Sequence, residues 1–202
     1  MVGTNVRKRG RPPTTAAVSH KAVIDAVYDL LSEGSVRDLT MERVAKHAGV
    51  GKPTLYKWWS SKAALVMATF AERIDQSTEP SSVPGGEAGV RKRVKALVSA
   101  FNGLFGKVMA ELIAEGQSDP EIIRELYDSH MSRRRAATIA DLRRAIIDGE
   151  LIPETDPELL VDEIFGALYY RLLLKTGPLT KRYGDKLVDH AFRGYRLRNV
   201  RS

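Results

Sequence analysis

Apolar residues recur at three- and four-residue intervals along almost every segment of this chain, and nowhere do they alternate in twos. A period near 3.6 lines such residues along one stripe of a helix, whereas a half-buried strand needs a period of two. The pattern predicts an all-α protein whose helices bury their stripes against one another. It also places the elements. Val23, Ile24, Val27, Leu30 and Leu31 define a helix over about 16–33, stopped at Gly34. A second starts after Thr40, whose hydroxyl suits an N-cap, carries Met41, Val44 and Ala45 inward, and ends at Ala48-Gly49-Val50. A short third spans about 52–58, with Pro53 in the first turn, where a missing amide proton leaves no helical bond unmade.

Ser60 is placed to cap a fourth helix to about residue 75, and a segment rich in Ser, Pro, Gly and Glu over 76–89 reads as a linker. Helices resume over 90–109, with 111–115 either continuing that one or standing apart. Others are expected from Asp119-Pro120 to about 149, from Asp156-Pro157 to about 175, and from a Thr180 cap to about 195. The expected division is a flexible basic arm over 1–15, a three-helix domain over 16–62, and a second helical domain over 63–202.

Two short helices joined by a tight turn at Gly49 make a helix-turn-helix, whose second helix enters the major groove of DNA. Charge distribution agrees. Residues 1–62 hold eleven Lys/Arg and five Asp/Glu, a net of +6 out of +7; the remainder holds twenty-one and twenty, a net of +1. A local basic excess accumulates phosphates and releases their counterions. On the third helix Lys52 and Lys57 reach toward phosphates or guanine edges, Thr54 toward either, and Tyr56 carries a hydroxyl on a rigid ring, while Leu55 is the inward anchor. Lys62, in the first turn of the fourth helix, is a further phosphate candidate. In the arm, Arg9 and Arg11 flank Gly10 in an extended run suited to the minor groove; a solvated tail without fixed contacts is the alternative.

Enzymatic readings fare poorly. Gly49-Val-Gly-Lys-Pro-Thr54 looks like a phosphate-binding loop, but Lys46 stands where that motif needs Gly, and Pro53 where it needs Ser or Thr. His20, His47, His130 and His190 lack metal-ligand spacing, and the absence of cysteine removes thiolate chemistry and disulfides. No metal site and no cofactor are expected. Neither a signal-peptide core nor an apolar run of about eighteen residues occurs, so no membrane association and a cytoplasmic location are expected.

The run from Leu39 to Leu65 closely resembles the DNA-binding signature of the tetracycline-repressor (TetR) family. The matching residues are Thr40, Val44-Ala45, Ala48-Gly49-Val50, Thr54-Leu55-Tyr56 and Ser61-Lys62. Gly51 departs from it, standing where the family commonly has a capping serine. Farther on, Asp119-Pro120-Glu121 and Gly166 to Leu174, followed by Gly177-Pro178-Leu179, resemble one TetR C-terminal subclass.

The resemblance implies a homodimer on a palindromic operator in double-stranded DNA, released by a small-molecule effector. Thr40, Tyr56 and Lys62 would then contact phosphates, and Lys52, Pro53, Thr54 and Lys57 would face bases. It also implies that 16–62 is the DNA-binding domain and 63–202 the ligand-binding and dimerisation domain, dimerising through the last two long helices, with Leu160, Ile164, Leu168, Leu172, Leu187 and Ala191 as candidate contacts. Met67, Phe70, Phe101, Phe105, Met109, His130 and Met131 are candidate walls of an effector cavity, or plain core. A ligand-independent architectural DNA binder is the competing reading, and an all-helical enzyme a remote one.

Overall fold

The computed structural model of the chain describes residues 15–74 and 85–196; Arg9 and Arg11 therefore lie outside the described residues. These residues form α1 (Thr15–Glu33), α2 (Met41–Ala48), α3 (Lys52–Trp58), α4 (Lys62–Ile74), α5 (Gly86–Phe101), α6 (Leu104–Gly116), α7 (Pro120–Leu126), α8 (Ser132–Ile147), α9 (Pro157–Leu174) and α10 (Lys181–Phe192). No strand forms among the described residues; one isolated antiparallel bridge joins Leu151 to Arg196.

Local chemistry sets most of the ends. The Gly34 amide donates to the Leu30 carbonyl at 2.9 Å and closes α1. Asp119, Asp156 and Thr180 cap α7, α9 and α10 by accepting from backbone amides two or three residues on, with proline opening α7 and α9. At α4 the cap is Ser61 rather than Ser60: the Ala64 amide donates to Ser61 Oγ at 3.0 Å.

Three expectations about element extent are corrected. The stretch expected as one helix over 90–109 is two, because the chain bends by 84° between α5 and α6. Gly106 permits the bend: a Cβ there would lie 2.0 Å from the Phe101 carbonyl oxygen, so only glycine lets α6 pass this close. α5 starts at Gly86, inside the supposed linker. The helix expected from Pro120 to about 149 is continuous but contains a π turn over Tyr127–Met131, which rotates the face it presents to the core.

α1, α2 and α3 form a small bundle, and α4 packs on α1 on one side and on α7 and the π turn on the other. α5 lies against α6, α8 and α10, and α9 against α8 and α10. One connected apolar core runs through all of them, from Val23 and Leu55 to Leu168 and Phe192. Each fully buried leucine in it contributes about 1.5–3 kcal/mol. Among the described residues no single helix is long and apolar enough to cross a membrane.

The residues chosen for dimer contacts are placed unevenly on α9 and α10. Leu160, Ile164 and Leu168 are fully buried within their own chain, Ala191 is buried as well, and Leu172 and Leu187 are half-buried. Leu159, Tyr170, Leu173 and Leu174 are the apolar side chains of α9 left exposed. α9 is apolar around most of its circumference, so spacing alone does not separate its inward face from its outward one.

Candidate nucleic-acid interface

Three short elements build the surface. Thr40 caps α2, its Oγ1 accepting from the Arg43 amide at 3.2 Å. Gly49 ends α2 in the left-handed region (φ +66°), where a side chain is disfavoured, and the Val50 amide returns to the Ala45 carbonyl at 3.0 Å. Gly51 then opens α3 without a side-chain cap, and its carbonyl receives the Thr54 amide at 3.0 Å.

α3 is seated by its apolar residues. Leu55 is fully buried and Trp59, just past the helix, is nearly so. Trp59 and Trp58 pack edge to face at 5.5 Å, and His20 of α1 sits against both rings, 4.9 Å from Trp59 and 5.5 Å from Trp58. His20 Nε2 also lies 3.6 Å from a Glu72 carboxylate of α4. This clamp fixes the C-terminal end of α3 against α1 and α4. Sequence reading missed it because it joins residues nearly forty positions apart.

With that side held, Lys52, Pro53, Tyr56 and Lys57 project together into solvent and Thr54 is half-exposed. Tyr56 is 53% exposed, a large aromatic left open to solvent on this face. The arrangement offers two cations, a phenol and hydroxyls on one rigid ridge, as phosphate and base contacts require. Thr40 is exposed beside them. Lys52 is not solitary: its ammonium lies 2.5 Å from the Glu42 carboxylate of α2.

Lys62 sits differently from expectation. Its ammonium donates to the Val36 carbonyl at 2.9 Å and to Glu115 of α6 at 3.0 Å, so its charge is engaged within the protein. The other side of the same corner is also tied to α6. The Val36 amide donates to Glu111 Oε2 at 2.7 Å, and Lys107 donates to the carbonyls of Leu31, at 3.2 Å, and Gly34. Residues 107, 111 and 115 lie one turn apart on α6, which therefore grips the α1–α2 corner with three side chains. These partners lie 53 to 76 positions away, beyond any local pattern.

The candidate effector residues are brought together in part. Phe105 lies 5.5 Å from Phe70, 6.1 Å from Phe101 and 5.1 Å from His130, ring centroid to ring centroid. Met67 and Met109 are buried in the same core, and Met131 is half-buried. Tyr169, which the sequence did not single out, meets Phe101 edge-on at 5.1 Å; burial pushes its hydroxyl up to about 12. The π turn brings His130 into this cluster.

Comparison with known proteins gives concordant results along the chain. The profile "Bacterial regulatory proteins, tetR family" matches residues 23–69, and "Tetracyclin repressor-like, C-terminal domain" matches residues 87–191. The HTH-type transcriptional regulator YdeS of Bacillus subtilis is 35% identical over 190 residues, 93% of each chain. The crystal structure of the TetR family transcription regulator SCO0332 superposes with a TM-score of 0.70 at 30% identity, covering 88% of this chain and 97% of that one. FadR from Bacillus subtilis, solved in complex with stearoyl-CoA, superposes with a TM-score of 0.68 over 87% of this chain and 98% of its own. At 18% identity that likeness is one of fold.

Proposed function

Because this chain belongs to the TetR family of transcriptional regulators, with that family's DNA-binding domain at its N-terminal end, we propose that it is an effector-released repressor acting as a homodimer on a palindromic operator. The observation that carries the DNA-binding half is the ridge of Lys52, Pro53, Tyr56 and Lys57 standing exposed on a helix pinned from behind by Leu55 and Trp59. A two-fold dimer presents two such ridges about 34–36 Å apart, one turn of duplex. Thr40 and Tyr56 contact phosphates and fix register; Pro53, Thr54 and Lys57 meet base edges with Lys52. Lys62 has an internal role instead, holding the corner between α1 and α2 to α6.

The dimer is formed by the outward face of α9. Leu159, Tyr170, Leu173 and Leu174 are exposed there, and Gly166 on the same face has nothing within 4 Å of where a Cβ would stand. An exposed apolar face of this kind is what a second copy covers.

Effector release works through α6. Phe105 and Met109 on its first turns belong to the aromatic core, and Glu111 and Glu115 farther along hold the Val36 corner. A ligand entering beside Phe105 and His130 shifts α6 and, with it, the position of α2 and α3. The similarly folded FadR binds an acyl-CoA and another such protein, FrrA, is flavonoid-responsive, which supports a small-molecule effector. A coupling of about 1–3 kcal/mol changes operator affinity some 5–150-fold.

Fluorescence anisotropy with labelled duplexes tests the interface. Tyr56→Phe weakens binding to specific and random DNA alike, by about fivefold for one hydrogen bond worth about 1 kcal/mol. Lys57→Ala weakens both and also narrows the gap between them. Two variants that bind like the parent would remove α3 from the interface.

A further inference from the structure

The Glu42–Lys52 pair is an odd tenant for a surface that meets phosphates. Glu42 stands in the first turn of α2 and Lys52 opens α3, so the pair bridges the two leading ends of the helix-turn-helix. The charged atoms are 2.5 Å apart, and both side chains are about half open to solvent, at 55% and 52%. The Lys52 ammonium, by hydrogen bonding, holds the Glu42 carboxyl below the usual carboxylate range, with a smaller contribution from the Thr40 hydroxyl. The carboxylate is therefore ionised at neutral pH. There it repels the phosphate backbone and neutralises the cation beside it, both of which weaken a purely electrostatic grip on DNA. An ion pair this exposed adds little to folding, so stability does not account for it either.

Base recognition does. A donor and an acceptor side by side at hydrogen-bonding distance complement the major-groove edge of a G·C pair, where guanine O6 and N7 accept and the neighbouring cytosine N4 donates. We propose that Glu42 and Lys52 act as one unit that reads a single G·C pair in each half-site. Glu42 accepts from cytosine N4 while Lys52 donates to guanine. On unrelated DNA, where the cytosine amine is missing, Glu42 keeps Lys52 from the phosphates, so the pair lowers non-specific affinity as well as raising specific affinity. Thr40 holds the Glu42 end of the unit in place by capping the helix that carries it.

This inference rests on α3 being the recognition helix, and selection of bound sites from a random duplex library by the full chain separates the two. The parent is expected to recover a palindrome with G·C at one symmetric pair of positions. Glu42→Ala, which leaves no acceptor in place, should recover the same palindrome with that preference relaxed about tenfold, since a wrong base at a read position typically costs that much. Freed from its carboxylate, Lys52 adds one phosphate contact on random DNA. The variant's non-specific affinity then falls about three- to fourfold more than the parent's between 50 and 200 mM salt, following a slope of about 0.9 per phosphate. Lys52→Gln should relax the same positions while weakening binding overall.

Unchanged preferences and an unchanged salt slope in Glu42→Ala overturn the pair and leave α3 in its role. Relaxation of different positions by the two variants also overturns it. A parent that selects no palindrome overturns the recognition-helix reading, and this inference with it.

Discussion

Removing the Glu111 side chain is a sharp test of how the two ends of the molecule are joined. Glu111 accepts from the Val36 amide at 2.7 Å, while the Val36 carbonyl accepts from the Lys62 ammonium at 2.9 Å. Val36 is fully buried, so in Glu111→Ala its amide proton loses its partner where water has poor access. A donor stranded in this way costs about 1–3 kcal/mol. For a domain of this size each kcal/mol moves the melting temperature by about 2–4 °C, giving a fall of about 2–12 °C. Glu111→Gln keeps an acceptor oxygen in place and should recover most of it.

The comparison is Lys21→Gln, which breaks an exposed pair on α1 and should shift the melting temperature by less than about 2 °C. Glu111→Ala combined with Lys62→Met should cost less than the two summed, by about 0.5 kcal/mol or more, because both side chains bond to the backbone of Val36. Differential scanning calorimetry reads all of these. Glu111→Ala melting with Lys21→Gln, or Glu111→Gln melting as low as Glu111→Ala, would refute this role for Glu111.

Three further outcomes follow from the structure. Leu173→Glu should leave a folded chain that sediments as a monomer. Leu168→Ala, on the buried side of the same helix, should lose about 2–5 kcal/mol of stability through the cavity it opens; a monomer that is also unfolded in Leu173→Glu would contradict the assignment of faces. Hydrogen bonds from Arg196, and then Arg91, hold the Glu87 carboxyl below its ordinary value near 4.5. The folded chain thus binds fewer protons than the unfolded one. Glu87's contribution is complete above that value and is lost as pH falls through the lowered one. Glu87→Gln should flatten the acid limb of a stability–pH curve; an unchanged limb would contradict this.

What was legible in the sequence is what local chemistry decides. Thr40, Gly49 and Pro53 fix the ends of α2 and α3 through a cap, a left-handed turn and a first-turn proline, and each signal lies within the element it controls. The bend between α5 and α6 had its marks in Asn102-Gly103 and Gly106, outweighed by apolar spacing that runs on across them. The π turn has no local mark, and it decides that His130 meets Phe105. The internal partners of Lys62, Val36 and Glu115, are not legible because they lie remote in sequence. The inward and outward faces of α9 differ only in what packs on them, which Leu160 and Leu173 cannot reveal by residue type.

The account turns on the exposed edge of α3 lying in the groove of its operator. The chain contains no cysteine, so Ser60→Cys, exposed just past the end of α3, creates a unique attachment point for an iron chelate that cuts nearby DNA. Bound to its selected site, the conjugate should cut in two clusters about ten base pairs apart, one per half-site. Cleavage no more localised than that from the same chelate at Lys186→Cys, on α10, would contradict it.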